Sequence, residues 1–142
     1  MSTAHITSSS VADTLAWAEV FARELPPGAV IALTGELGAG KTVIAKGIGR
    51  GLGVTAEIIS PTFNYILEYP GRLPFIHGDM YRIAGAETFV RMGFEEYFER
   101  GGVVVLEWAE RIREVLPTDT IWIAVSRLSD QERQLTIQHP GS

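Results

Sequence analysis

The segment that most restricts this chain is Gly35-Glu-Leu-Gly-Ala-Gly40-Lys41-Thr42, which has the phosphate-loop spacing G-x-x-x-x-G-K-T. Its glycines let the backbone curl, so that successive N–H groups face inward and can donate to phosphate oxygens. A helix beginning near Lys41 adds its positive end. The Lys41 ammonium can reach the outer phosphates. The Thr42 hydroxyl can ligate Mg²⁺, an ion that takes few protein ligands and keeps water or phosphate elsewhere. Gly35, Glu36, Leu37, Gly38, Ala39, Gly40, Lys41 and Thr42 together form the candidate nucleotide-binding loop. Ala39 and Glu36 are not demanded by the chemistry, and Glu36 is most simply solvent-facing. The apolar run 29–33 precedes the loop, as expected of a strand buried on both faces. Ile44, Ile48 and Leu52 follow on one face of a helix.

The same logic extends along the chain. Residues 11–25 carry Leu15, Ala18, Phe21, Ala22 and Leu25 at helical spacing, and Pro26-Pro27-Gly28 ends that helix. Residues 56–60 read as a strand stopped by Pro61. Residues 63–79 read as two strands about the turn Pro70-Gly71. A helix is expected over 86–100, broken at Gly93, then a buried strand at 103–106 and a short helix at 109–116. Runs 120–127 and 133–138 flank a polar turn and predict a terminal strand pair. Strands alternating with helices, plus a hairpin, make one α/β domain over 1–142 with a mixed sheet. The first ten residues are expected to be flexible. Gly47, Gly49 and Gly51 each cost a helix about 1 kcal/mol relative to Ala, which requires either close packing or a mobile helix.

Composition removes several classes of function. With 46% hydrophobic residues in 142, the chain can bury one core. The formal charge is −5, and Lys41 and Lys46 are the only lysines, so the chain has no basic block with which to grip nucleic acid directly. An indirect role in nucleic-acid metabolism stays open. The absence of cysteine excludes disulfides and thiolate metal sites. The polar start is no signal peptide, and no apolar run approaches the roughly 20 residues that span a bilayer. A soluble, cytoplasmic protein with no membrane partner is expected.

Two acids end apolar strands: Asp79 and Glu107. Ligands of open α/β sheets gather at the carboxyl ends of strands. Phosphoryl transfer to water needs one group on the metal and another to orient the water, and either acid could take either task. Thr62, in the segment 60–63 (Ser-Pro-Thr-Phe), is a switch threonine or an ordinary strand exit. Arg82 pairs with phosphate, with a carboxylate or with solvent. Trp108 stacks on a base or a partner, or belongs to the core. His77 orients Asp79 or packs; with three histidines and no cysteine, no zinc cluster is expected. Neither lysine sits in an Asn-Lys-x-Asp segment, which favours ATP over GTP. A small-molecule kinase would need a lid bearing arginines, whereas here ten arginines are scattered. A binding module that never hydrolyses would have no use for Asp79.

The loop, the segment 60–63, the segment 77–83 (His-Gly-Asp-Met-Tyr-Arg-Ile) and the segment 104–112 (Val-Val-Leu-Glu-Trp-Ala-Glu-Arg-Ile), in this order, closely resemble the TsaE (YjeE) family. The resemblance runs from about Val11 to Ile137. It implies a P-loop NTPase-like mixed sheet flanked by helices, with a β-hairpin and a C-terminal strand pair. It implies an ATPase that binds ATP and Mg²⁺, hydrolyses weakly alone, and works with TsaB and TsaD. Contact with tRNA would be indirect, through a complex in which TsaD transfers the threonylcarbamoyl group to adenosine 37. By matching motifs, Lys41, Asp79 and Thr62 look catalytic, with Asp79 activating water. Thr42 and Glu107 look like the Mg²⁺ ligands. Trp108 matches the family's tryptophan and is placed with the nucleotide-binding residues. Ala109 stands where the family commonly has proline, a departure expected to alter local backbone more than chemistry.

Overall fold

The structure, a computed structural model, describes residues 2–36, 38–61 and 64–140. In chain order its elements are β1 (Ser2–Ser8), α1 (Val11–Arg23), β2 (Val30–Thr34), α2 (Lys41–Gly51), β3 (Ile66–Tyr69), β4 (Phe75–Asp79), α3 (Ala86–Arg91), β5 (Val103–Glu107), β6 (Ile121–Arg127) and β7 (Arg133–His139). Two 3₁₀ helices span Phe94–Glu99 and Ala109–Val115. The strands form one sheet in the order β1-β7-β6-β2-β5-β4-β3. Its centre, β4-β5-β2-β6, is parallel, and the flanking pairs β3/β4, β6/β7 and β1/β7 are antiparallel. The fold is thus the expected mixed sheet flanked by helices, with a hairpin and a C-terminal strand pair.

Strand alternation divides the core. On one face, Ile31, Leu33, Val103 and Val105 pack with Ala18 and Ala22 of α1 and Ile44 and Ile48 of α2. On the other, Val30, Ala32, Val104 and Leu106 pack with Phe89, Ala109 and Ile112. With both faces covered, β2 and β5 have no polar alternation, which is why they read as continuous apolar runs.

The helix glycines are explained by packing. A Cβ on Gly47 would lie 2.5 Å from Ala18 Cβ and 2.9 Å from Leu15 O; one on Gly51 would lie 2.7 Å from Ala22 Cβ. These two glycines, four residues apart, let α2 sit directly against the α1 backbone. Gly49 faces the sheet side, where a Cβ would lie 2.9 Å from the Phe75 ring.

Two segments differ from the elements read in the sequence. Where no strand was expected, Ser2–Ser8 pair with β7 in antiparallel register from Ser2↔His139 to Ser8↔Arg133. The ladder satisfies a polar backbone that has little apolar side-chain burial. Ser8 Oγ also lies 2.6 Å from Thr14 Oγ1, tying the strand to α1. Residues 56–60 form no strand. Ile58 fills the core, Ile59 is exposed, and Ile59 N donates to the Tyr69 hydroxyl at 3.2 Å, so side chains rather than a ladder hold this segment. Helix α3 does end before Gly93, whose φ of 79° starts the 3₁₀ turn. The short helix expected at 109–116 is 3₁₀ and kinked at Ile112.

Candidate functional site

The phosphate loop leaves the carboxyl end of β2, at the middle of the parallel sheet. Gly40 turns the chain into α2 with φ 112°, a value that disfavours any side chain, and no side chain caps the helix. The leading N–H groups of α2 therefore keep their capacity to donate to an anion. Lys41 is the first residue of α2 and is only 5% exposed. Its ammonium donates to Gly35 O and, at 3.0 Å, to Glu36 O, and lies 4.0 Å from the centre of the Trp108 ring. Burial pushes its pKa below the usual 10.5, against the pull of Glu107, Glu110, Asp79 and Glu36. Glu36 itself is exposed, as expected.

Asp79 and Glu107 converge because β4 and β5 are parallel neighbours and the two residues are register partners. Glu107, 4% exposed, is held at both oxygens: the Thr42 hydroxyl donates to Oε1 at 3.0 Å and His77 Nε2 donates to Oε2 at 2.7 Å. Of the two readings of His77 from the sequence, packing holds, since the ring is fully buried against Phe75, and its hydrogen bond goes to Glu107 rather than to Asp79. Asp79 is half-buried and accepts from Tyr81 N at 3.0 Å. Desolvation raises its pKa above 3.8, and repulsion by Glu107 adds to that. The Tyr81 bond, His77 and Lys41 oppose it. Asp79, Glu107, Lys41, Thr42, Ser60 and Trp108 line a cleft of about 320 Å³.

The donor set fits magnesium. Thr42 Oγ1 and Glu107 Oε1 are hard oxygens 3.0 Å apart. Neighbouring vertices of an octahedron with bonds of about 2.1 Å are separated by about 2.9 Å. Among the described residues no group of three or more His, Cys, Asp or Glu could hold a metal ion. Two protein oxygens suit an ion that draws its other ligands from water and phosphate.

Trp108 stands beside Lys41, at the start of α2. Its ring lies over Lys41 and 4.9 Å from the Tyr81 ring, on the wall of the acidic cleft. Its backbone occupies the left-handed region at φ 56°, uncommon for a bulky residue, where β5 turns into the 3₁₀ helix at Ala109. Ala109, where the resemblance leads one to expect proline, is fully buried. Arg82 is exposed. Thr62 and Leu37 lie outside the described residues.

Arg133 was missed by the sequence reading. From the start of β7 its Nε donates to Ala39 O at 2.9 Å, and its Nη1 donates to Ser129 O, also at 2.9 Å. It braces the loop from a position 94 residues away, a separation that no local motif reports. A second cavity, of about 130 Å³, lies beside this brace and is lined by Ser10, Thr14, Gly38, Gly40, Val125 and Arg133. Arg133→Met is expected to weaken nucleotide binding about tenfold, the loss of one charge-assisted hydrogen bond that shapes the loop. Isothermal titration with ATP checks this, and unchanged affinity would deny the brace any part in binding.

Among the described residues no helix is long and apolar enough to cross a membrane. A family model described as "Threonylcarbamoyl adenosine biosynthesis protein TsaE" matches residues 8–135. The chain is 43% identical over 130 residues to the tRNA threonylcarbamoyladenosine biosynthesis protein TsaE of Treponema pallidum, covering 92% of this chain and 96% of that one. It is 42% identical over 131 residues to the TsaE protein of Bacillus subtilis, covering 92% and 82%. The crystal structure of Bacillus subtilis YdiB superposes with a TM-score of 0.86 at 37% identity, covering 99% of this chain and 87% of that one.

Proposed function

The chain belongs to the TsaE family, and from that premise we propose that it is the Mg²⁺-dependent, ATP-hydrolysing subunit that supports threonylcarbamoyladenosine formation in tRNA by a TsaB–TsaD complex in the cytoplasm. The observation that carries the ATPase reading is the convergence on one cleft of Lys41, the Thr42–Glu107 pair and Asp79. In this reading the loop N–H groups and Lys41 bind the phosphates. Thr42 and Glu107 hold Mg²⁺, which when bound neutralises phosphate charge. Asp79, with its proton affinity raised by burial, orients the attacking water and accepts its proton. The nucleoside end extends past Gly38 and Gly40, which border both cavities, toward Ser10, Thr14 and Arg133.

The chain's acidic surface charge favours a protein partner over direct contact with tRNA. The test is reconstitution. ATP hydrolysis by the purified chain is expected to be slow alone and faster with TsaB, TsaD and tRNA, and repeated rounds of tRNA modification are expected to require the chain. An unchanged ATPase rate, together with undiminished modification over many rounds in its absence, would remove this function.

A further inference from the structure

We infer that His77 is a positioning residue for the magnesium site, acting through Glu107. The inference rests on the nucleotide reading above and adds a residue to it. His77 is fully buried in β4, two residues before Asp79, and its ring stacks on Phe75 with centroids 5.9 Å apart. Packing alone does not account for a histidine there. Its Nδ1 is buried with no hydrogen-bond partner among the described residues, a desolvation cost that a phenyl ring of similar shape would not carry. What the imidazole alone supplies is the Nε2–H bond to Glu107 Oε2 at 2.7 Å.

That bond matters because a glutamate carboxylate is free to turn about its last torsion. With Oε2 held by His77, Oε1 is directed at Thr42 Oγ1, 3.0 Å away, which is the separation two neighbouring Mg²⁺ ligands need. Without the donor, Oε2 would be a buried, unpaired acceptor, and the carboxylate would gain by rotating toward any other donor. His77 thus fixes the ligand pair before metal or nucleotide arrives.

Three proteins decide the matter: wild type, His77→Phe and His77→Gln. Phe keeps the shape and removes the donor, whereas Gln places an amide N–H near the Nε2 position. Affinity for a non-hydrolysable ATP analogue is measured by titration calorimetry in EDTA and at a series of Mg²⁺ concentrations, alongside thermal unfolding without nucleotide. His77→Phe is expected to unfold somewhat below wild type, because Glu107 Oε2 loses its donor, but to stay folded and to bind the analogue equally in EDTA. The Mg²⁺ concentration giving half of the metal-dependent gain in affinity should rise about tenfold, as for other residues that orient a metal ligand. His77→Gln should return it to within about threefold of wild type. Wild-type Mg²⁺ dependence in His77→Phe would overturn the inference, as would equal losses in both variants. If His77→Phe does not fold, a folded His77→Gln with a tenfold shift is the overturning result. A wild-type protein with no Mg²⁺-dependent gain would overturn the nucleotide reading itself, and this inference with it.

Discussion

Asp79→Asn is expected to leave ATP affinity within about threefold of wild type and to lower turnover about 100-fold or more, the usual range for removing a positioned general base. The two effects separate because binding rests on the loop backbone, Lys41 and the Thr42–Glu107 pair, none of which Asp79 holds in place. The hydrogen bond that its carboxylate accepts from Tyr81 N is one that the Asn Oδ1 can also accept. The substitution should also stabilise the fold at neutral pH. Asp79 has a folded-state pKa above 3.8, first because of burial and then because of Glu107. A carboxyl that keeps its proton more tightly when folded stabilises the folded state below 3.8, and that contribution is lost as pH rises through the raised folded value. The variant, lacking the charge, should therefore match wild type near pH 3 and exceed it at pH 7 in urea midpoint. Steady-state ATPase assays with partners and ATP titrations check the first claim. Loss of binding in step with turnover would mean that Asp79 shapes the nucleotide site rather than acting on water.

What could be read from the residues follows from how locally each feature is encoded. The loop, its preceding strand and the helix stripe of Ile44, Ile48 and Leu52 lie within 30 residues and depend on backbone rules that act over a few positions. The juxtaposition of Asp79 and Glu107 was legible because both end apolar runs, and parallel neighbours bring such ends together. Other features were set by the partner rather than by the segment. Ser2–Ser8 has the composition of a loose tail, and only the open edge of β7 makes it a strand. Ile58 and Ile59 look like strand residues, yet Ile58 is drawn into the core and the Tyr69 hydroxyl captures the backbone of Ile59 instead of a ladder. Gly47 and Gly51 left close packing and a mobile helix both open in the sequence, and the approach of α1 accounts for them by packing. Arg133 and the His77–Glu107 bond depend on contacts across 94 and 30 residues, for which a single sequence carries no periodic signal.

Lys41→Met should produce the converse of Asp79→Asn: ATP affinity lower by about 100-fold or more, with the fold's stability held within about 1 kcal/mol. Methionine keeps an unbranched apolar stem against Trp108 and removes only the ammonium. The stability estimate balances two opposed terms. The variant loses the bonds to Gly35 O and Glu36 O, two carbonyls at the mouth of the loop that water can serve. It is also relieved of a charge that burial penalises, as the lowered pKa of Lys41 records. The sign can be checked with pH. A lysine whose folded-state pKa is depressed weakens the fold while it is charged, and that penalty fades as pH rises through the folded value toward 10.5. Wild type should accordingly gain on the variant in urea midpoint between pH 7 and pH 10. The affinity loss has no such compensation, because each phosphate contact made by an ammonium is a charge-assisted bond. Retained ATP affinity in a folded Lys41→Met would show that the backbone cradle alone binds the phosphates. An unfolded variant would show that the ammonium is a structural pin of the loop. Calorimetric titration beside urea unfolding at the two pH values separates these outcomes.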